Sequence, residues 1–133
     1  MASLLSLDVG TVRIGVSAAD STVPVAVPLT TIDVDGQELE KIKELIKERS
    51  VDIVVVGYPR NQAGEATEQT AISEAFGRQL AEFATVVYQD ESLTSVMAED
   101  RLKRAGKPYD KADIDAAAAA IILQDYLEQH HAA

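Results

Sequence analysis

The 133-residue sequence contains no cysteine. A thiolate metal site and a cysteine nucleophile are therefore excluded, and the chain needs no oxidising compartment. No apolar run approaches the roughly 20 residues that a membrane-spanning helix requires. The first residues lack the basic flank and the long apolar stretch of a secretory signal peptide. We therefore expect a cytoplasmic protein with no membrane partner.

Positive charge is scarce as well, since 12 basic residues stand against 22 acidic ones and give a net charge of −10. Lys and Arg make the contacts to nucleic-acid phosphates, so this balance argues against a simple nucleic-acid binder. The basic residues are unevenly distributed, however, and the segment 101–111 carries five of them with one acid. This segment could hold a polyanion at one edge of the protein, or it could be a solvated helix end. Its basic residues are Arg101, Lys103, Arg104, Lys107 and Lys111.

Length and composition indicate one domain spanning residues 1–133. A chain of this size buries roughly two-thirds of the surface that it exposes when unfolded, which is enough for one core. The hydrophobic fraction of 47% and the mean hydropathy of −0.01 are those of an ordinary globular protein. The sequence has no repeat and no linker-like segment that would divide it.

Alternating and apolar segments predict five strands and four helices. The first two strands are close enough to form a hairpin, and the third should be an edge strand because Pro24 and Pro28 donate no ladder hydrogen bond. The predicted strands are 3–9, 13–18, 23–32, 52–56 and 85–89, and the predicted helices are 37–49, 66–83, 94–104 and 113–128. This order predicts an α/β fold with a mixed five-stranded sheet flanked by helices. The first three strands should be antiparallel, and the next two should return in parallel through right-handed crossovers beside a central first strand.

Two helices and the fourth strand carry more detailed predictions. In the helix 66–83 the inward stripe is expected to consist of Ile72, Ala75, Phe76, Leu80 and Phe83. The fourth strand should stop at Gly57-Tyr58-Pro59, which reads as a break. The last helix has no polar side chain from residue 116 to residue 123, so it should be largely buried.

Three acidic residues occupy comparable positions in this scheme. Asp8 closes the first strand, Glu91 follows the fifth, and Asp115 opens the buried last helix. Ligands of open sheets collect at the carboxyl ends of strands, near the switch in strand order. Neighbouring buried carboxylates repel one another and raise one another's pKa, whereas a bound cation removes that cost. Each acid taken alone could instead be a turn residue, a loop charge or a helix first-turn residue.

A site built from carboxylate oxygens alone suits Mg²⁺ or Mn²⁺ rather than Zn²⁺. Two such ions roughly 4 Å apart can activate a water and stabilise the leaving oxygen of a phosphodiester. The acids therefore predict a catalytic site for metal-dependent phosphodiester hydrolysis.

The segment Leu7-Asp8-Val9-Gly10-Thr11-Val12-Arg13-Ile14-Gly15-Val16 resembles the opening signature of the YqgF family. These are bacterial RNase H-fold proteins described as pre-16S rRNA nucleases and as similar to Holliday-junction resolvases. Three further segments are similar to the family in order and spacing, so the resemblance covers about residues 4–127. They are Val55-Val56-Gly57-Tyr58-Pro59 with Asn61 and Gly64, Asp90-Glu91-Ser92-Leu93-Thr94-Ser95 with Ala98-Glu99, and Ile114-Asp115-Ala116-Ala117-Ala118-Ala119 through Leu123.

The resemblance implies an RNase H-like fold in which Asp8, Glu91 and Asp115 stand where the family places its acidic metal ligands. Related resolvases carry a second acid near the last one, so Asp113 is a further candidate ligand, although it could equally be the N-cap of the helix. The family usually reads Asp-Glu-Arg after the fifth strand. Ser92 replaces that arginine here and could offer only a hydroxyl, which puts a phosphate contact or an orienting ion pair in doubt.

Several polar residues are predicted to bind the substrate. Arg13 would reach a phosphate near the acids, or would form a strand-end ion pair. Tyr58 could stack on a base or pack in the core, while Gly10 and Gly15 would let a backbone or a phosphate approach closely. The predicted substrate-binding residues are Arg13, Arg60, Asn61, Ser92, Lys103, Arg104 and Lys107.

The prediction that follows is a metal-dependent endonuclease that processes the 5′ end of a 16S rRNA precursor. Resolution of branched DNA uses the same chemistry but needs two coordinated cuts and hence a symmetric dimer, so a monomer and a homodimer both stay open. A catalytically inactive nucleic-acid-binding module is a third possibility, which the presence of all three acids argues against. The segment from Asp8 to Arg13 also resembles the phosphate loop of sugar kinases and actin-like ATPases, but those folds need a second lobe.

Overall fold

The computed structural model describes residues 2–20, 22–59, 63–91 and 94–130 and, for residues 94–96, the backbone alone. Five strands lie side by side in one sheet, in the order β3-β2-β1-β4-β5. The strands are β1 (Ser3–Val9), β2 (Arg13–Asp20), β3 (Val27–Asp33), β4 (Ile53–Pro59) and β5 (Thr85–Glu91), and the helices are α1 (Glu38–Glu48), α2 (Glu68–Leu80), α3 (Thr94–Ala105) and α4 (Lys111–His130). The predicted α/β architecture is confirmed.

Strand directions follow the prediction too. The strands β1, β2 and β3 are antiparallel, whereas β4 runs parallel to β1 on one side and to β5 on the other. The strand β1 is therefore central, and its end lies where the strand order switches. Asp8 faces Gly15 of β2 across the ladder, and Leu7 faces Val56 of β4.

The edge strand β3 begins at Val27, later than the predicted start at residue 23. Pro28 lies opposite Ser17 at the point where the register between β2 and β3 shifts. A proline donates no hydrogen bond and is tolerated at edges and bulges, so the prediction of an edge strand was correct.

Four strands extend beyond their predicted ends, and the extensions of β4 and β5 shape the end of the sheet near Glu91. Gly57, Tyr58 and Pro59 continue β4 and pair with Gln89, Asp90 and Glu91 of β5, so the prediction of a break at Gly57 was wrong. Pro59 is the last residue of its strand, where a missing N–H does not interrupt the ladder. As a result, Glu91 lies on a strand and not in a loop.

The face of α2 that packs on the sheet is made of small side chains. Its buried residues are Thr70, Ser73, Gly77 and Leu80. Of the predicted stripe, Leu80 is buried and Phe76 packs against the core, as predicted, whereas Ile72 and Phe83 are 40% and 43% exposed. Helix α2 is therefore rotated about its axis relative to the prediction, with small residues facing the sheet. These small residues let the helix lie close to the sheet, since a β-carbon on Gly77 would come within 2.5 Å of the Tyr88 hydroxyl.

Helix α4 covers the other face of the sheet. The segment 118–123 is buried throughout, as predicted. The Ser6 hydroxyl donates to the Ala119 carbonyl at 2.6 Å and is also hydrogen-bonded to the Ser17 hydroxyl. This buried contact ties α4 to the two central strands, since a buried hydroxyl without a partner would be costly. Within the described residues, no helix is both long and apolar enough to cross a membrane.

Candidate active site

Asp8 lies between two glycines on the face of the sheet that α4 covers. Gly15 of β2 faces it directly, and Gly57 of β4 is the residue after Val56, the partner of Leu7. Glycines inside strands commonly mark places where another group approaches the backbone closely. Because neither glycine carries a β-carbon, other groups have room to approach the Asp8 side chain from both sides.

On one side the space is taken by the backbone of α4. A β-carbon on Gly15 would overlap the carbonyl oxygen of Asp115 and lie 2.9 Å from the nitrogen of Ala116. The first turns of the helix therefore rest directly on β2. This close contact brings the Asp115 side chain to the neighbourhood of Asp8. The close approach predicted at Gly15 is made by helix backbone.

On the other side the space is taken by Glu91. A β-carbon on Gly57 would lie 2.5 Å from Glu91 Oε2 and 2.8 Å from Ile122 Cδ1. The Oε2 atom is buried and has no hydrogen-bond partner among the described residues. A buried polar atom in this state is rare in native proteins, and a cation or a water bound beside it would satisfy it.

The charges of the three acids act on one another. Burial, with the negative charge of Asp115 as the second cause, raises the pKa of Asp8 to about 6. Burial likewise raises the pKa of Glu91 to about 8, with the charge of Asp8 as the second cause. Asp8 is thus the middle member, coupled to Asp115 on one side and to Glu91 on the other. Carboxylates that are perturbed in this way mark a candidate functional site.

Arg13 is the cation nearest to these acids among the contacts seen. It begins β2, and its Nε donates to Asp115 Oδ2 at 2.6 Å in an ion pair whose side chains are 30% and 23% exposed. The interpretation of Arg13 as part of an ion pair is therefore confirmed. Contact with a phosphate stays a prediction.

The donor set suits a hard divalent cation, because it consists of carboxylate oxygens and includes the unpartnered Oε2 of Glu91. The side chains are not yet arranged around one point, since the described residues contain no group of three His, Cys, Asp or Glu residues placed to hold a metal ion. One oxygen of Asp115 is engaged by Arg13. The residues fit a metal by chemistry and neighbourhood, and the carboxylates would have to turn towards a common centre.

Asp113 has a structural partner. Its Oδ2 accepts from the backbone N–H of Asp110, and its own N–H donates to Asp110 Oδ1, both at 3.0 Å. This reciprocal pair is a capping box at the start of α4. Asp110 is therefore the capping residue in place of Asp113, because the helix begins two residues earlier than predicted.

The predicted substrate-binding residues fall into two groups. Lys103 and Arg104 lie in the last turn of α3, and Lys107 is exposed in the connection to α4, which begins one turn before Asp115. Arg104 pairs with Asp100 at 3.0 Å, and no ion pair seen in the described ranges joins these basic residues to the three acids. The other predicted residues, Arg60, Asn61 and Ser92, lie outside the described residues.

Tyr58 points away from the acids, because side chains alternate along a strand and Gly57 faces α4. Its hydroxyl donates to Glu74 Oε1 at 2.8 Å, and its ring meets Tyr88 edge-on at 5.7 Å. The packing interpretation of Tyr58 agrees with these contacts.

Gly57 is the residue of the site that the sequence analysis missed. It was interpreted as the end of a strand, although it makes room for the Glu91 carboxylate. A glycine within an apolar strand was the available signal, since such a glycine often marks a close approach by another group.

Comparisons with known proteins agree on one family. The profile of the family described as "RuvX: Holliday junction resolvase" matches residues 2–129. A protein from Synechocystis sp. (strain PCC 6803), named "Putative pre-16S rRNA nuclease", is 43% identical over 130 residues, which cover 93% of this chain and 86% of the relative. A protein of the same name from Chloroflexus aurantiacus is 44% identical over 131 residues, with 94% of this chain and 86% of the relative covered.

Among solved structures, Thermus thermophilus RuvC in complex with a Holliday junction substrate is similar in fold, with a TM-score of 0.59 and 12% sequence identity. The match covers 97% of this chain and 96% of that one. The similarity supports the RNase H-like sheet and helices. The match to the family and the identity to its named relatives confirm the resemblance drawn from the sequence motifs: the chain belongs to the RuvX, or YqgF, family.

Proposed function

We propose that this protein is a divalent-metal-dependent endonuclease that hydrolyses phosphodiester bonds of structured RNA, with the 5′ end of a 16S rRNA precursor as its substrate. The observation that carries the proposal is the meeting of three acids from distant parts of the chain at the end of the central strand. The charge of Asp8 interacts with those of Asp115 and Glu91, and the Glu91 Oε2 is buried without a hydrogen-bond partner in the described part of the chain. Like charges are held together at such a cost where a cation offsets their repulsion.

In this proposal the three carboxylates hold Mg²⁺ or Mn²⁺, with two ions as the expected number. Bound there, the ions supply a nucleophilic water at neutral pH and stabilise the leaving oxygen. Asp8 is the shared ligand because it lies between the other two. Gly15 and Gly57 set the separation of the ligands, since they determine how closely α4 and Glu91 approach β1.

Substrate binding is assigned to cations near the acids. Arg13 lies beside Asp115 and is part-exposed, so it can reach a phosphate next to the scissile bond. Lys103, Arg104 and Lys107 would hold more distant phosphates at the α3–α4 end, away from the acidic remainder of the surface.

A second candidate function is the resolution of branched DNA. The family description names Holliday junction resolvase, and RuvC with a junction substrate is a structural neighbour. The more similar relatives carry the name of pre-16S rRNA nuclease, which favours RNA. Both functions use the same site, so only the substrate separates them.

The test is a cleavage assay that offers a structured RNA, containing the 5′ end of the 16S precursor, and a four-way DNA junction of equal charge. We expect Mn²⁺-dependent cutting of the RNA, no cutting in EDTA, and slower cutting of the junction. Symmetric cutting of the junction with the RNA left intact would establish the second candidate. Binding without cleavage of either substrate in Mn²⁺ would indicate an inactive module.

Reversing the charge of Lys103, Arg104 and Lys107 to glutamate is expected to weaken RNA binding and flatten its dependence on salt. Each phosphate contact contributes about one unit to the slope of log affinity against log salt, so the slope should fall by about two to three. Fluorescence anisotropy at several salt concentrations measures both quantities.

The matched control reverses three exposed basic residues on the opposite face of the sheet, Lys41, Lys47 and Arg49. The two triple variants have the same net charge, so a general repulsion of RNA would affect them equally. Equal salt slopes for both variants would place the substrate path elsewhere.

A further inference from the structure

Arg13 makes one hydrogen bond and has further capacity. Its Nε is engaged by Asp115 Oδ2 at 2.6 Å, while its two terminal nitrogens have no hydrogen-bond partner in the described part of the chain. A guanidinium offers five N–H donors in a planar fork, so one donor is used and four are available. The side chain is 30% exposed, which leaves the free end accessible to solvent.

This ion pair stands in the way of a metal ion. A divalent cation held by all three acids needs an oxygen of Asp115. Arg13 engages Oδ2, and the ion pair thereby holds the whole carboxylate, including Oδ1, in its present orientation. The positive charge of the guanidinium also repels a divalent cation bound to the same carboxylate. The lack of a ready three-carboxylate group within the described residues is consistent with an Asp115 side chain that is turned towards Arg13.

We propose that Arg13 is an internal competitor for the divalent ion: it neutralises Asp115 while the site is metal-free and has to release that carboxylate when the ion is bound. The inference rests on the proposed function, because it assumes that Asp115 is a ligand. Once released, the guanidinium can pair with a phosphate oxygen, for which its fork is well suited. Binding of the metal ion and binding of a phosphate therefore both separate Arg13 from Asp115, so each favours binding of the other.

The test is direct measurement of Mn²⁺ affinity in the absence of nucleic acid, by the electron paramagnetic resonance signal of free Mn²⁺. Arg13→Gln removes the competitor and should tighten Mn²⁺ binding about tenfold, which corresponds to about 1.4 kcal/mol. Arg78→Gln is the matched control: it loses the same charge from an ion pair with Glu74 on α2, away from the acids, and should stay within about twofold of wild type.

Unchanged or weaker Mn²⁺ binding by Arg13→Gln, with a measurable wild-type affinity, overturns the competition and leaves the nuclease proposal standing. Absence of Mn²⁺ binding by both proteins overturns the metal-dependent function itself. If Arg13→Gln does not fold, as judged by thermal unfolding in EDTA, Arg13→Lys provides the second comparison. A lysine can still pair with Asp115 but has no planar fork of donors and holds the carboxylate less firmly, so a modest tightening is expected and a loss of Mn²⁺ affinity contradicts the inference.

Discussion

Replacement of Asp8 by asparagine should abolish cleavage and at the same time stabilise the metal-free protein. Loss of a partner outside the ligand set typically lowers metal affinity or activity 10- to 100-fold, so loss of the shared ligand should cost more than about a hundredfold. The protein gains stability because the asparagine side chain places no charge between Asp115 and Glu91. At pH 7 the gain in the free energy of unfolding should be about 1–3 kcal/mol, since a shift of one pKa unit corresponds to about 1.4 kcal/mol.

The gain should depend on pH with a definite sign. The pKa of Asp8 is raised to about 6 in the folded protein, so the folded state keeps a proton that the unfolded state has already lost. The contribution of Asp8 to the stability of the wild-type protein therefore falls as pH rises from about 4 to about 6. The stabilisation by Asp8→Asn should be nearly absent at pH 4 and fully developed at pH 7. Urea unfolding in EDTA at these two values measures it.

The control for this variant is Glu44→Gln, an exposed position on α1. It removes one negative charge without touching the site, so both cleavage and stability should stay near wild type. An Asp8→Asn protein that cleaves at the wild-type rate, or that is less stable at pH 7, would show that Asp8 has a structural role.

The order and direction of the strands were predictable from the sequence because each depends on a local signal. Pro24 and Pro28 mark β3 as an edge, and the short connection before Arg13 requires a hairpin. The carboxylate positions followed from the same scheme, because Asp8 ends the central strand. These features depend on residue type and spacing, which a sequence displays directly.

Features that depend on how closely two elements approach were not predictable in this way. A glycine within an apolar strand signals that some group approaches closely, but only the fold shows that at Gly57 this group is the Glu91 carboxylate. The stripe on α2 was only partly right for the same reason: Leu80 is buried as predicted, but apolar periodicity also favoured Ile72, whereas contact with Tyr88 requires the small Gly77 to face the sheet. The ion pair of Arg13 with Asp115 joins residues 102 positions apart, so the sequence did not reveal the partner of Arg13 and only the fold shows it.

The two glycines beside Asp8 should respond differently to a single added methyl group, and Gly15→Ala has the larger effect. Its β-carbon would overlap backbone atoms of Asp115 and meet the nitrogen of Ala116 at 2.9 Å. Backbone in the buried helix α4 can move aside only if the helix shifts. We expect a loss of about 3 kcal/mol or more in the free energy of unfolding, at the upper end for overpacking. A displacement of Asp115 by about 1 Å should also lower the cleavage rate about a hundredfold.

Gly57→Ala should separate the two effects. Its β-carbon would meet the ends of the Glu91 and Ile122 side chains, which can rotate away. The loss of stability should therefore be smaller than for Gly15→Ala, although the Glu91 carboxylate would be turned away from Asp8. Gly36→Ala is the control, since it has a positive φ of 95° but open space around it; it should cost about 1 kcal/mol and leave cleavage unchanged. Denaturant unfolding and cleavage rates of the three variants give the comparison. If Gly15→Ala were no less stable than Gly36→Ala, α4 would not rest on β2 as closely as the site requires.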